Sequence, residues 1–330
     1  MWSVSIDSSV DPRLQTFQAV LDPQELCKQV LRSLATQWRS PRSVRIKVLK
    51  YHPENRCTVE IQLQSAGGCR SVVGKLYMTD RSDVYQAMTA IVGAGFGPEE
   101  AFTIPQPLAY VPEIHLLLHE KVQGPLVKDI LLKGTESERA AATKCCARWL
   151  ARFQMLAPAS GPVLSNTDLP GRERSMKHFT RRAPSLADKA CLLFERLKAA
   201  VPTAEPAETC ASHCDYSHHN MILSKTSMVV LDWDNHATAD PSFDVAKFII
   251  SVKQLALQSL GSIAALDPAI DAFCNAYTEA SRFQVAARLP MHKAAVCLKQ
   301  AQKYAKPGRA GIEKAEAILD EGLRILAEEA

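Results

Sequence analysis

Two carboxylates and a carboxamide fall near one another in the second half of the sequence. Asp215 and Asn220 share one polar stretch, and Asp232 follows it after two short apolar runs. The apolar runs, 221–223 and 228–231, are separated by a polar turn, and this pattern predicts a β-hairpin. Because a hairpin brings its two ends together, we expect Asp232 to lie close to the other two side chains.

This set of side chains suits a site for magnesium and phosphate. Buried carboxylates are costly unless they are paired or bind a metal. Mg²⁺ takes oxygen ligands, usually one or two carboxylates together with substrate phosphates. A further carboxylate can orient an attacking hydroxyl or accept its proton. The three side chains therefore predict phosphoryl transfer, in which positioning and charge neutralisation supply most of the catalysis.

The order of motifs in this region resembles the aminoglycoside phosphotransferase and choline kinase family. The likeness consists of HxDxxxxN at 213–220, the hairpin, and the triplet Asp-Trp-Asp at 232–234. The stretch 239–246, Ala-Asp-Pro-Ser-Phe-Asp-Val-Ala, is similar to the family segment G-D-P-x-x-D-L-A. Members of this family are small-molecule relatives of the protein kinases. Cys214 departs from the family pattern, which usually has Gly at this position.

The resemblance implies a role for each motif residue. It makes Asp215 the catalytic aspartate, and Asn220 and Asp232 the metal ligands. It makes His213 and Asp244 structural supports, with Asp244 as a buried acceptor that braces the catalytic loop. The implied cofactors are ATP and Mg²⁺. The implied reaction moves the γ-phosphoryl group of ATP to a hydroxyl of a small molecule.

The resemblance also implies an α+β, protein-kinase-like fold with two lobes. Residues 1–120 would form the N-lobe, an antiparallel sheet with a helix, and residues 121–330 the mostly helical C-lobe. Alternating apolar residues at 44–49, 58–64 and 72–77 predict three strands of that sheet.

Four residues are expected to bind the nucleotide. By resemblance, Lys75 on the third strand contacts the α- and β-phosphates. The turn at 51–56 would cover the phosphates, and Arg56 could reach one of them or could be a plain surface charge. Glu120 and Val122 belong to a segment that resembles the hinge, where backbone groups bind the adenine edge.

The helix predicted at 82–94 departs from the family, which offers a Glu here to pair with the strand lysine. The one carboxylate of this segment is Asp83. Asp83 or Gln86 could replace that Glu, or Lys75 could be held differently. The departure motivates a second hypothesis, a kinase-like pseudoenzyme that serves as a nucleotide-binding or interaction module. A third hypothesis is a kinase that phosphorylates protein hydroxyls.

Two further interpretations of the polar stretch stay open. One is a zinc site, since zinc uses Cys and His, although no CxxC pair with a distant second pair is present. Its candidate ligands are Cys210, His213, Cys214, His218 and His219. The other is a plain solvated loop, because loops collect Asp, Asn and Ser.

Composition limits the partners and the compartment. The 330 residues are 47% hydrophobic and 22% charged, a globular balance that suits two lobes. The net charge of +4 is too mild to favour nucleic acid as the main partner. Neither a signal peptide nor an apolar run of about 20 residues is visible. Ten cysteines without regular spacing predict reduced thiols and a cytoplasmic location.

The expected partner is a small-molecule hydroxyl compound, with no nucleic acid, membrane or obligate protein partner. By resemblance, the C-terminal helices build the acceptor pocket. The segment 291–309 is basic, which disfavours a polycationic acceptor and leaves neutral or anionic hydroxyl compounds open. A second basic run is either a solvated face or a dock for an anionic group. It comprises Arg172, Arg174, Lys177, Arg181 and Arg182.

Overall fold

The computed structural model of the chain divides into two compact units, Met1–Gln123 and Gly124–Ala330. The residues that the structure describes are 3–7, 28–30, 32, 43–52, 55–65, 68–164, 176–177, 179–200, 208–305 and 309–328. Asp22 and Pro23 predict the start of a helix that runs to about residue 38. Most of this segment lies outside the described residues, and its described positions, 28–30 and 32, are helical.

A six-stranded sheet dominates the first unit. Its strands are β1 (Ser3–Asp7), β2 (Ser43–His52), β3 (Arg56–Ser65), β4 (Gly68–Tyr77), β6 (Pro107–Val111) and β7 (Leu116–Glu120). Their order is β1-β2-β3-β4-β7-β6. All neighbouring strands run antiparallel except β1 and β2, which are parallel. The predicted antiparallel sheet is therefore confirmed, and β1 is an addition that the sequence pattern did not reveal.

Alternation along the strands separates a core face from a polar face. In β3, Val59 and Ile61 are buried in the core of the sheet, whereas Glu60 points to the opposite face. Lys75 in β4 pairs in register with Thr58, so it shares the face of Glu60. Helix α1 (Ser82–Gly93) follows β4, and β5 (Phe102–Thr103) precedes β6.

The second unit is mainly helical. Its helices are α2 (Val127–Lys133), α3 (Glu136–Leu156), α4 (Ala187–Ala200), α5 (Ser242–Leu260), α6 (Asp267–Ala280), α7 (Leu289–Tyr304) and α8 (Arg309–Glu328). Helix α3 packs against α6, and α7 packs against α4, α5 and α8. Aromatic rings fill the interior: Trp149 stacks on Phe153 with 5.2 Å between ring centroids, and Phe248 stacks on Phe273 at 4.2 Å.

The start of α3 follows from its sequence. The spacing of Thr135 and Glu138 predicts a capping box. The Thr135 side chain accepts a hydrogen bond from the Glu138 N–H, and the Glu138 carboxylate accepts one from the Thr135 N–H, so the box is confirmed. Gly134 ends α2 in an extended conformation. A Cβ at Gly134 would lie 2.6 Å from the Ile130 carbonyl oxygen, so this close approach requires glycine.

Two short antiparallel ribbons carry the polar stretch. One pairs β8 (Cys210–Ser212) with β11 (Ala237–Ala239), and the other is the hairpin of β9 (Met221–Leu223) and β10 (Met228–Val230). The predicted hairpin is therefore confirmed. Its turn closes through a hydrogen bond from the Ser224 N–H to the Ser227 carbonyl, 2.9 Å long.

The second basic run is only partly described. Lys177, Arg181 and Arg182 are exposed to solvent, whereas Arg172 and Arg174 lie outside the described residues. Among the helices that the structure describes, none combines the length and the apolar character that crossing a membrane requires.

Candidate active site

The hairpin brings Asn220 and Asp232 to the same end of one ribbon. Val230 pairs with Met221, and the Leu231 N–H donates a hydrogen bond of 2.8 Å to the Asn220 carbonyl. Asp232 follows directly, half-buried, with a left-handed φ of 64°. A non-glycine residue seldom adopts this conformation unless its surroundings impose it. The backbone therefore bends sharply at Asp232.

A direct hydrogen bond links Asn220 to Asp215. The Asn220 Nδ2 donates to the Asp215 carboxylate at 3.2 Å and to the Asp215 carbonyl at 3.1 Å. Both amide protons are therefore engaged. The Asn220 side-chain oxygen accepts no hydrogen bond from any residue in the described part of the chain. It is an oxygen donor available to a cation.

His213 connects the loop to the hairpin. Its Nε2 lies 2.8 Å from the Leu231 carbonyl oxygen, and its Nδ1 lies 3.2 Å from the Asp215 N–H. A carbonyl can only accept and an N–H can only donate, so these contacts require the neutral tautomer with the proton on Nε2. The ring also packs edge-on against Trp233, with 4.7 Å between centroids. His213 therefore fixes the loop that carries Asp215.

Asp244, at the start of α5, holds the other side of the loop. Its Oδ2 accepts hydrogen bonds from the Ser212 hydroxyl at 2.9 Å and the His213 N–H at 2.7 Å. Its Oδ1 accepts one from the Cys214 N–H at 2.9 Å. Burial raises the pKa of this fully buried carboxyl, while the electrostatic interaction with His213 and the three hydrogen bonds oppose that effect. Three accepted hydrogen bonds suit an ionised carboxylate.

Cys214 adopts a left-handed φ of 60°. Glycine adopts this conformation freely, whereas a residue with a Cβ loses about 1–2 kcal/mol there. The departure from the family glycine therefore introduces backbone strain. The hydrogen bond from the Cys214 N–H to Asp244 helps to stabilise this conformation. Burial and the charge of Asp244 raise the pKa of the Cys214 thiol to about 12, so the thiol stays protonated.

The zinc interpretation finds no support among the described residues, which contain no metal-binding group of three or more His, Cys, Asp or Glu side chains. The proposed ligands have separate partners instead. His218 Nδ1 contacts the Ser251 hydroxyl at 3.2 Å, and the Cys210 thiol donates to the Ala239 carbonyl at 3.7 Å. The solvated-loop interpretation is wrong because most of the stretch 213–220 is buried.

The structure adds a residue that the sequence analysis missed. Lys247 Nζ lies 3.0 Å from Asp215 Oδ1, and both side chains are largely buried. Burial alone would raise the pKa of Asp215, but the charge and hydrogen bond of Lys247 hold it below its ordinary value. A sequence signal existed, since Lys247 follows Asp244 by three positions. That spacing puts both residues on one face of a helix.

The residues expected to bind the nucleotide lie in the first unit. Lys75 is nearly buried on the polar face of β4, and Arg56 is the half-buried first residue of β3. Glu120 is the exposed last residue of β7, and its N–H donates to the Gln106 carbonyl at 2.9 Å. Val122 is half-buried beyond the end of that strand.

Asp83 and Gln86, the suggested replacements for the family glutamate, both lie at the protein surface. Asp83 is exposed and forms an ion pair of 2.9 Å with Arg81, and Gln86 is exposed. A buried carboxylate that the sequence analysis did not consider lies on the polar face of the sheet. It belongs to Glu60, which binds Lys121 Nζ at 2.7 Å, and this hydrogen bond lowers the pKa of Glu60 to about 2.

Comparisons with known proteins agree with the motif-based resemblance. A family model described as a phosphotransferase enzyme family matches residues 77–287, more than half of the chain. The matched range contains Asp215, Asn220 and Asp232, and it begins after Lys75. A comparison with curated protein sequences gives no match.

Solved structures show the same fold at low identity. A choline/ethanolamine kinase family protein from Mesorhizobium loti is 12% identical, with 92% of this chain and 98% of that chain covered and a TM-score of 0.59. A spectinomycin phosphotransferase in complex with ADP and spectinomycin is 12% identical, with 92% and 98% covered and a TM-score of 0.60. Amicoumacin kinase, in complex with AMP-PNP and Ca²⁺, is 11% identical, with 93% and 96% covered and a TM-score of 0.58.

The kinase-like α+β fold expected from the sequence is therefore confirmed. Because the family model covers the loop, the hairpin and the start of α5, the chain belongs to the phosphotransferase enzyme family.

Proposed function

We propose that this protein transfers the γ-phosphoryl group of ATP to a hydroxyl of a small molecule. The main support is geometric: Asn220 is hydrogen-bonded to Asp215 and lies with Asp232 at one end of the hairpin. The relatives add support, since one of them binds ADP with spectinomycin and another binds AMP-PNP with Ca²⁺.

In the proposed mechanism, Asp215 orients the acceptor hydroxyl and accepts its proton. The hydroxyl oxygen forms a bond to the γ-phosphorus while the bond from that phosphorus to ADP breaks, and ADP leaves with the electron pair. Lys247 keeps Asp215 ionised at neutral pH, so the carboxylate is ready to accept the proton. His213 and Asp244 hold the loop in place during the step.

Asn220 and Asp232 fit a hard divalent cation, because they offer an amide oxygen and a carboxylate from the same end of the hairpin. Mg²⁺ bound there would neutralise charge on the phosphates. The protein contributes the fixed positions of the two side chains, set by the ribbon and by the bent backbone at Asp232.

For the nucleotide we propose Lys75 as the contact to the α- and β-phosphates and Arg56 as a contact to a phosphate. We propose the backbone at Glu120 and Val122 as the partner of the adenine edge. These four assignments rest on the family resemblance. A lower affinity for Mg-AMP-PNP in a Lys75→Met variant, measured by calorimetry, would support the first of them.

Asp215→Asn tests the proposed function. We expect turnover to fall by roughly 10²–10⁴-fold, because the amide cannot accept the proton. The measurement is ATP-dependent phosphorylation of a panel of small hydroxyl compounds, followed with labelled ATP. Asp271→Asn, an exposed acid on α6, is the matched control. Equal product formation by the Asp215→Asn protein would reject the catalytic assignment.

A pseudoenzyme is the second candidate, and the surroundings of Asp83 favour it. Asp83 is paired with Arg81 at the protein surface, so α1 supplies no buried carboxylate like the family glutamate. The pseudoenzyme hypothesis expects measurable Mg-AMP-PNP binding without ATP turnover or product on any hydroxyl compound. Product formation that depends on Asp215 would exclude it.

A further inference from the structure

Three lysines are gathered near Asp215 in the second unit. Lys247 on α5 forms the ion pair of 3.0 Å described above. Lys299 and Lys303 lie four positions apart on α7, so they share one face of that helix. Helix α7 packs against α5. The two helices therefore bring three positive side chains to one region.

Helix α7 packs against α5, which carries Lys247, and the electrostatic effects on neighbouring groups agree with lysines of α7 lying on the Asp215 side. Burial and Asp244 raise the pKa of the Cys214 thiol, in the loop beside Asp215, and the charge of Lys299 acts to lower it. Partial desolvation and the charges of Lys247 and Lys299 lower the pKa of the Lys303 ammonium, while Asp215 acts in the opposite direction. Both α7 side chains are thus close enough to the catalytic loop to influence its charges.

The positive charges of Lys299 and Lys303 are not balanced locally. Both side chains are exposed, and neither has an ion pair or hydrogen bond with a residue that the structure describes. Lysines on the neighbouring helices are paired: Lys189 with Glu316 and Asp320, and Lys253 with Asp267 and Glu321. Those carboxylates are therefore already neutralised by lysines of their own.

The ion pair within the loop region also matters for a charged ligand. Lys247 neutralises Asp215, so this carboxylate repels an anion only weakly. An ammonium group brought to this region would instead meet two exposed like charges. The local charge therefore favours anions over cations.

We propose that the acceptor of this phosphotransferase carries an anionic group, a carboxylate or a phosphate, that binds Lys299 and Lys303 while its hydroxyl faces Asp215. The inference deepens the proposed function and rests on it, because it assumes that Asp215 marks the position of the acceptor hydroxyl. It assigns to the two lysines a role in acceptor selection. The phosphates of ATP are the other anions that these lysines could bind.

Charge-matched triplets of hydroxyl compounds test the proposal. One triplet is glycerate, glycerol and 3-aminopropane-1,2-diol, and the other is gluconate, glucitol and 1-amino-1-deoxyglucitol. Each compound is titrated by calorimetry into the full-length protein saturated with Mg²⁺ and AMP-PNP. We expect the anionic member to bind most tightly in at least one triplet. Phosphorylation with ATP is then compared across the same compounds.

Variants separate the acceptor site from the nucleotide site. The double variant Lys299→Gln/Lys303→Gln should weaken binding of the anionic compound by about tenfold, the effect of losing two exposed ion pairs. Lys225→Gln, an exposed lysine in the hairpin turn, is the matched control and should leave this binding unchanged. Circular dichroism of each variant checks that the fold is kept.

Several results would overturn the proposal. They are equal or tighter binding of the neutral or cationic members, no binding by any member, and undiminished anion binding by the double variant. A loss of affinity for AMP-PNP in the double variant, with anion binding intact, would assign the lysines to the nucleotide and overturn it as well. A separate result tests the proposed function. The Asp215→Asn protein should retain the charge preference in binding while losing phosphoryl transfer. Undiminished transfer by this variant would reject the proposed function.

Discussion

At the scale of single residues, the state of Asp215 is set by two opposing influences. Burial disfavours the ionised carboxylate, and the adjacent Lys247 ammonium favours it. The effects that favour the ionised form are together larger than that of burial, so the pKa of Asp215 lies below its ordinary value and the carboxylate is ionised at neutral pH. The proposed catalytic base is therefore ionised across the physiological range.

Replacing Lys247 by Met should leave burial as the larger influence on the pKa of Asp215. Burial remains and the opposite charge is gone, so the pKa of Asp215 should rise. We expect the acid limb of the pH profile of kcat/KM to move to higher pH. Lys133→Met, an exposed lysine on α2, is the control and should leave the profile unchanged. An unmoved acid limb in the Lys247→Met protein would contradict the role assigned to the ion pair.

At the scale of elements, the catalytic loop is fixed from two sides. Helix α5 presents Asp244 to three donors of the loop, and the hairpin presents the Leu231 carbonyl to His213. The loop itself contains the strained backbone of Cys214. Such a conformation persists because neighbouring elements impose it. The position of Asp215 is therefore a property of α5 and the hairpin together.

Asp244→Asn should loosen the loop. The amide replaces one acceptor oxygen by a donor that faces the backbone N–H groups, so at least one hydrogen bond is lost. We expect the free energy of unfolding to fall by about 1–3 kcal/mol, together with a loss of turnover. Denaturant unfolding and kcat are the measurements. The control Asp271→Asn should change stability by less than about 0.5 kcal/mol. A variant with unaltered stability and kcat would show that Asp244 does not brace the loop.

At the scale of the whole molecule, buried ionisable groups couple stability to pH. His218 is buried and contacts the Ser251 hydroxyl on α5. Burial, followed by the positive charges of His219, Lys128 and Lys247, lowers its pKa to about 3. The unfolded chain protonates this histidine near pH 6.5, whereas the folded protein does so only near pH 3. Acidification between these values therefore favours the unfolded state.

His218→Asn should remove this pH dependence. Between pH 7 and pH 5, we expect the wild type to lose about 2 kcal/mol more stability than the variant. Denaturant unfolding at the two pH values measures the difference. His219→Asn, at an exposed neighbouring position, should retain the steeper wild-type dependence. Equal losses in the His218→Asn protein and the wild type would show that His218 titrates normally in the folded state.

Much of the fold follows from local patterns in the sequence. Alternation predicts the strands β2, β3 and β4, and the observed strands extend the predicted ranges because pairing continues beyond the clearest alternation. The capping box predicts the start of α3. The parallel pairing of β1 with β2 was not predicted, because contacts between distant segments leave no periodic signal.

The sequence by itself determined the family and the hairpin that joins Asn220 to Asp232, because ordered motifs and short-range turns are encoded locally. Only the tertiary structure revealed the Asp215–Lys247 ion pair and the placement of Lys299 and Lys303. The spacing of Lys247 from Asp244 indicates a shared helix face, but the ion pair depends on how α5 packs beside the catalytic loop. The placement of the two other lysines depends on how α7 packs against α5. The physical reason is that charge interactions act through space, whereas motif spacing records only neighbours along the chain.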